Sequence, residues 1–146
     1  MMSLEDIIES WNKDCQIDSY ELGNESLNTP VLHNKYSKIL LTERVLLAKL
    51  EQQYNALLKD KSLYYLGYVD PKEVVVRGWQ PLKQKILKQD LSLYINADVD
   101  LSDLKVRLTL QQEKITYLES ILKTILNRGF YIKNALEARR LQAGFD

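Results

Sequence analysis

The sequence is poor in the residues that build disulfide frameworks and metal centres. Its 146 residues include one cysteine, Cys15, and one histidine, His33. A single cysteine excludes an intramolecular disulfide and is typical of proteins kept in a reducing compartment. One cysteine and one histidine also exclude a Cys/His zinc site within a single chain. We therefore expect neither a structural metal nor a cofactor.

Glycine is scarce as well, and its placement excludes the common phosphate-binding loops. The five glycines are scattered, and neither G-x-G-x-x-G nor G-x-x-x-x-G-K occurs. Asp98 and Asp100 are the one pair of carboxylates that suggests a divalent metal, but helix capping explains them at far lower cost. The sequence therefore predicts a protein that is not an enzyme.

Long apolar runs are missing too. No stretch approaches the roughly 18 apolar residues of a membrane-spanning helix, so we expect no membrane partner. The first residues are acidic and have no apolar region after them, from which we expect no secretory signal. With 45% apolar and 27% charged residues, the chain has the composition of a folded domain, alone or with an appendage.

The net charge is zero, but the two signs are unevenly distributed. Residues 1–30 contain one basic and seven acidic residues, whereas residues 59–90 contain seven basic and four acidic ones. Residues 77–89 contain no acid and four cations: Arg77, Lys83, Lys85 and Lys88. This polarity indicates an anionic partner for the middle of the chain, a contact between the two regions, or ordinary solvated faces.

The periodicity predicts a mainly α-helical protein. Ser3 is a candidate N-cap for a short amphipathic helix, which is either a partner-docking arm or a lid on the protein's own core. A second short helix is expected to break near Pro30. Residues 31–66 then read as a long helix with a coiled-coil-like seam, interrupted at Glu43 and Lys61 among others, and Gly67 is placed to end it.

The middle of the chain has a different character. Three consecutive valines, residues 74–76, are followed by Gly78 and Pro81, which predicts a short strand or a small β-hairpin over 73–79. A second extended stretch is expected over Leu91–Ile95.

A second long helix with a coiled-coil-like seam is predicted from Leu101 onward, with a kink near Gly129. Apolar residues occupy more than one of its faces, so this helix needs more than one neighbour. Other subunits are the most economical partners, and we therefore expect a homo-oligomer. The seam residues expected to mediate it are Leu104, Leu108, Ile115, Leu118, Leu122, Ile125, Ile132 and Leu136.

Cations and aromatic rings are interleaved where the first long helix ends. Lys59, Lys61, Tyr64 and Tyr65 stand together, with Trp79 further on. Ammonium groups contact phosphates, and ring faces accept any base, so this pattern is typical of single-stranded DNA binding without sequence preference. Lysines also favour a helix C-terminus, and tyrosine pairs are common at the edge of a core, so a purely structural role explains the same residues.

The pattern K-x-K-x-x-Y-Y-x-G at residues 59–67 resembles a segment of the UvsY family of phage recombination mediators. The resemblance extends upstream to 13–18 and downstream to 127–140, and is weakest over 69–90. It implies a ring-like hexamer or heptamer, with residues 1–98 as the helical and DNA-binding region and 99–146 as the oligomerisation helices. It also implies that Lys59 and Lys61 match the family's DNA-contacting basic pair.

The resemblance further implies a function in phage recombination and repair inside the host cytoplasm. The implied partners are single-stranded DNA, a phage single-strand-binding protein that is displaced or weakened, and a RecA-like recombinase that is loaded. The competing hypothesis is a helical oligomeric scaffold or adaptor with no nucleic-acid role. That hypothesis explains the seams and the zero net charge, but it leaves the Lys/Tyr cluster without a purpose.

Overall fold

The structure, a computed structural model, describes residues 2–144 and is helical. Its elements are α1 (Leu4–Asp14), α2 (Leu22–Tyr65), α3 (Pro71–Val76), a 3-10 helix (Lys88–Asp90), α4 (Leu91–Ala97), α5 (Val99–Leu126) and α6 (Arg128–Gln142). No strand occurs in this described part, so the mainly α prediction is confirmed and the predicted β-hairpin is wrong. Within the same residues, no helix is long and apolar enough to cross a membrane.

The described chain forms two compact units. The first comprises residues 2–44 and 113–144, and the second comprises residues 45–112. Both α2 and α5 contribute residues to each unit. The division at residue 98, which the family resemblance implied, stays a prediction.

Helix α1 packs on α2 within the first unit, as a lid on the protein's own core. Its start is fixed by a capping box, in which Ser3 Oγ accepts the Asp6 N–H and Asp6 Oδ2 accepts the Ser3 N–H. Ile7 is fully buried, and the Trp11 ring meets the Tyr36 ring edge-on at 5.4 Å between centroids. The Tyr36 hydroxyl donates to Asp14 at 2.8 Å and completes the attachment.

Helix α2 is longer at its start than the sequence suggested, because it continues through Pro30 instead of breaking there. A proline inside a helix costs about 3 kcal/mol, since it removes one backbone donor and crowds the preceding turn. The buried guanidinium of Arg128 stabilises that turn. It donates to the Glu25 carbonyl, to Thr29 Oγ1 at 2.8 Å and to Glu25 Oε2 at 3.0 Å.

The far end of α2 agrees with the sequence. Gly67, with φ +80°, follows the helix, its N–H bonds the Tyr64 carbonyl, and the Tyr68 N–H bonds the Leu63 carbonyl. This pair of hydrogen bonds is a Schellman motif, which needs the left-handed conformation that glycine adopts without strain.

The three valines lie in α3 and not in a strand. Asp70 caps this helix by accepting the Lys72 N–H at 2.9 Å, and Pro71 occupies its first turn. Glu73 bonds Arg77 one turn later at 3.0 Å. These local signals at the helix start outweigh the β-propensity of the valines. The predicted extended stretch at 91–95 is likewise helical, since it forms most of α4.

The last helical stretch is interrupted at Asn127, two residues before the predicted kink at Gly129, and resumes as α6. Most of the predicted seam packs inside this single chain. Leu108 and Leu122 are half-buried and Leu136 is 42% exposed, whereas the remaining seam residues are buried: Leu104, Ile115, Leu118, Ile125 and Ile132.

We expect Arg128→Met to lower the free energy of unfolding by about 3 kcal/mol, because the Glu25 carboxylate loses its buried partner and the turn before Pro30 loses its donors. The matched control is Lys133→Met, at an exposed position of the same helix, which is expected to stay within about 0.5 kcal/mol. Urea denaturation followed by circular dichroism, at one protein concentration, measures both. Equal stabilities of the two variants would contradict the role assigned to Arg128.

Candidate nucleic-acid interface

The two lysines of the 59–67 motif have opposite environments. Lys59 is exposed on α2, whereas Lys61 is only 4% exposed. The Lys61 ammonium lies 2.9 Å from Asp98 Oδ2 and 2.9 Å from Asp100 Oδ2. Two carboxylates at the start of α5 hold the ammonium group inside.

Asp98 is the centre of this network. Its Oδ2 also accepts the Tyr65 hydroxyl at 2.7 Å, and its Oδ1 accepts the Leu101 N–H at 2.9 Å. The predicted role of Asp98 as an N-cap is confirmed, and α5 begins at Val99 directly after it. The side chain is almost fully buried, whereas that of Asp100 is about half exposed.

The pKa shifts report the balance of burial and hydrogen bonding. Burial by itself lowers the pKa of Lys61, but the hydrogen bonds to Asp100 and Asp98 outweigh it and the net shift is upward. Burial raises the pKa of Asp98, yet the Tyr65 hydroxyl, the Leu101 N–H and Lys61 together bring it below its ordinary value. Burial and the bond to Asp98 raise the pKa of Tyr65. At neutral pH the Lys61 ammonium and the Asp98 carboxylate are therefore both charged, and the Tyr65 hydroxyl keeps its proton.

The aromatic residues of the motif form a packed cluster beside this network. The Tyr64 ring lies 4.9 Å from the Tyr65 ring and 5.1 Å from the Trp79 ring, measured between centroids. The Tyr64 hydroxyl donates to the Gln80 carbonyl, which ties α2 to the loop after α3. The Lys61 ammonium stands 4.5 Å from the Trp79 ring centroid. The structure thus brings these four predicted site residues together.

Arg77 joins the same cluster but is neutralised by two acids. Its Nη1 lies 3.0 Å from Asp60 Oδ2 and its Nε lies 3.0 Å from Glu73 Oε1, while its guanidinium carbon is 4.9 Å from the Trp79 ring centroid. The sequence analysis counted Arg77 among the cations of residues 77–89, which contain no acid. Both of its acidic partners precede that stretch, and the fold brings them to Arg77.

The remaining predicted cations are exposed. Lys83, Lys85 and Lys88 lie in the segment between α3 and α4. The Ile86 N–H bonds the Tyr65 carbonyl at 3.2 Å, which holds this segment against the end of α2 next to Lys85. No contact joins Lys83 or Lys88 to the aromatic cluster within the described residues.

Sequence reasoning missed Asp98, Asp100 and Tyr94 as members of the site. Tyr94 of α4 packs against Tyr65 at 5.7 Å between centroids. The signal for the aspartates was the lysine placed on the apolar seam of α2, since a cation at a core-facing position needs a carboxylate partner. In residues 2–144, no group of three or more potential ligands is arranged to hold a metal ion.

We expect Lys61→Met to lower the free energy of unfolding by about 3 kcal/mol, because it leaves the buried Asp98 carboxylate without its cation. Lys59→Met removes the same charge from the same helix at an exposed position, and is expected to change stability by less than about 0.5 kcal/mol. Urea denaturation at one protein concentration compares them. A Lys61 variant as stable as the Lys59 variant would show that the ion pairs contribute nothing to the fold.

Comparison with known proteins places this geometry in a family. The sequence profile described as "Recombination, repair and ssDNA binding protein UvsY" matches residues 10–145. The recombination protein uvsY of Enterobacteria phage T4 is 30% identical over 145 residues, which cover 98% of this chain and 99% of that protein.

Solved structures agree with the sequence match. Two crystal structures of the bacteriophage T4 recombination mediator protein UvsY superpose with TM-scores of 0.84, at 25% and 26% identity. They cover 96% and 98% of this chain, and this chain covers 99% of each. The resemblance first drawn from the motif at 59–67 is therefore confirmed: the chain belongs to the UvsY family of recombination, repair and single-stranded-DNA-binding proteins.

Proposed function

We propose that this protein binds single-stranded DNA as an oligomer and acts as a recombination mediator, with no bond-making step of its own. The observation that carries the proposal is a set of exposed lysines near the end of α2 and in the segment between α3 and α4: Lys59, Lys83, Lys85 and Lys88. Among residues 2–144, no carboxylate lies within 4.0 Å of any of their ammonium groups. Such cations exchange counterions for phosphates without first breaking an internal ion pair.

The two other cations of the site have a different role in this proposal. Lys61 and Arg77 are each held by two acids, so a phosphate would have to compete with carboxylates that are already in place. We assign them to positioning: Lys61 holds the end of α2 against Asp98, and both cations hold Trp79. Tyr64 and Tyr65, whose hydroxyls are bonded within the chain, give the site its shape.

The mechanism depends on repetition of a modest site. One protomer offers a few phosphate contacts, and an oligomer presents many such sites to one strand, which raises the effective affinity. A strand held in this way is withdrawn from the phage single-strand-binding protein and presented to a RecA-like recombinase. Membership of the family supports both partners and the host cytoplasm as the place of action.

Most of the predicted seam is buried within the chain, so we assign the subunit contacts to the exposed face of α6 instead. Phe130 is 66% exposed and Leu141 is 72% exposed. They are 11 residues apart, about three helical turns, and therefore lie on one face. Large apolar side chains on one helix face mark an interaction surface, and a ring of six or seven copies would cover it.

We expect alanine at both Lys59 and Lys85 to weaken binding to oligo-dT and to flatten its salt dependence. Removing one phosphate contact to a single strand lowers the log–log slope by about 0.7, and the total change is larger when several protomers touch one strand. The control carries alanine at Lys49 and Lys105, two exposed lysines of the same unit, which removes the same charge elsewhere. Fluorescence anisotropy over a salt series measures both. Unchanged affinity and slope in the first variant would show that the site is assigned wrongly, whereas a wild type that does not bind oligo-dT would favour the helical scaffold without a nucleic-acid role.

We expect the wild-type protein to be an oligomer at micromolar concentration and Phe130→Asp with Leu141→Asp to be a folded monomer, because charges placed on a buried contact oppose association. Tyr20→Asp, at a position of the same unit that is 88% exposed, is the control and should keep the wild-type mass. Light scattering gives the mass and circular dichroism the fold. A monomeric wild type, or a double variant of unchanged mass, would refute this interface.

A further inference from the structure

A cavity of about 340 Å³ lies in the second unit, between α3 and the segment that follows it. Val74 and Val75 of α3 line it, together with Leu82 and Gln84 of the following segment. The Tyr64 ring and Gly67 line it from the end of α2. Its volume is at the lower end of the range for small-ligand pockets, which fits a single planar ring system.

The cavity is built by contacts that hold its walls in place. The Tyr64 hydroxyl donates to the Gln80 carbonyl, and the Ile86 N–H donates to the Tyr65 carbonyl. These two hydrogen bonds attach the segment to the end of α2 before and after the residues that line the cavity. The Lys85 stem crosses Gly67 so closely that a Cβ at Gly67 would lie 2.8 Å from Lys85 Cγ. The glycine thus lets Lys85 reach the cavity, where its side chain is part of the lining.

The lining combines three chemistries. The valines, Leu82 and the Tyr64 ring supply an apolar surface with one aromatic ring. The Gln84 amide offers both a donor and an acceptor, so it can pair with the polar edge of any base. Lys85, exposed and without a carboxylate partner among the described residues, supplies a cation next to the apolar surface. An apolar site with a cation at its side matches a nucleobase that is attached to a phosphate.

We propose that this cavity receives one unstacked base of a bound single strand, with Lys85 on the adjoining phosphate. The inference rests on the proposed function and names the part of the strand that this site takes. An apolar protein segment is the other conceivable occupant, but an uncompensated lysine in the lining favours an anionic ligand. The adjacent exposed lysines, Lys83 and Lys88, extend the same charge along the segment.

The test uses two neighbouring valines of α3 that differ in one respect. Val75 is 69% exposed and lines the cavity, whereas Val76 is 80% exposed and is not among the lining residues. Val75→Glu and Val76→Glu therefore add the same charge to the same exposed helix. Their affinities for oligo-dT are compared with their affinities for a strand of equal length that lacks bases. Circular dichroism checks that both variants keep the wild-type fold.

We expect Val75→Glu to bind oligo-dT at least about fivefold more weakly than Val76→Glu, the lower limit for removing the stacking of one base. On the baseless strand the two variants should bind equally. Equal affinities for oligo-dT would overturn the inference in favour of a protein segment as occupant, and a defect of Val75→Glu on both strands would overturn it in favour of backbone binding. Failure of the proposed function is distinguishable, because the wild type would then not bind oligo-dT.

Discussion

The buried carboxylate of Asp98 is the constraint on which the second unit depends. It accepts the Tyr65 hydroxyl, the Lys61 ammonium and the first-turn N–H of Leu101, at distances between 2.7 and 2.9 Å. A buried charge without partners costs several kcal/mol, so these three groups must stay in place for the unit to remain folded. The end of α2 and the start of α5 are thereby held together through one side chain.

This constraint divides the cations of the site into two kinds. Lys61 and Arg77 are paired with carboxylates and hold the aromatic cluster, whereas Lys59 and Lys85 are exposed and available to an anion. A site whose rings and walls are already fixed loses little conformational entropy when a flexible strand binds. A chain of zero net charge is still suited to a polyanion, because residues 77–89 contain no acid and three exposed lysines, Lys83, Lys85 and Lys88.

The features that were predicted correctly are those set by local sequence. The N-cap at Ser3, the helix end at Gly67 and the cap at Asp98 each depend on residues within a few positions of one another. The hairpin over 73–79 was predicted wrongly because the β-propensity of the valines was weighed without the Asp70 cap that precedes them. The break at Pro30 was predicted wrongly because its compensation comes from Arg128, about a hundred residues further along the chain.

The sequence by itself determined that the protein is helical, that it lacks the residues for a Cys/His metal site, and that it resembles the UvsY family, because composition, periodicity and motif spacing are properties of the chain. Only the tertiary structure decided which lysine of the 59–67 motif is exposed and which apolar seam is already buried. Both depend on partners distant in sequence: Asp98 and Asp100 approach Lys61 only when α5 packs beside α2. Whether a lysine on an apolar seam is buried in an ion pair or exposed to solvent can be decided only when the fold shows which side chains face it.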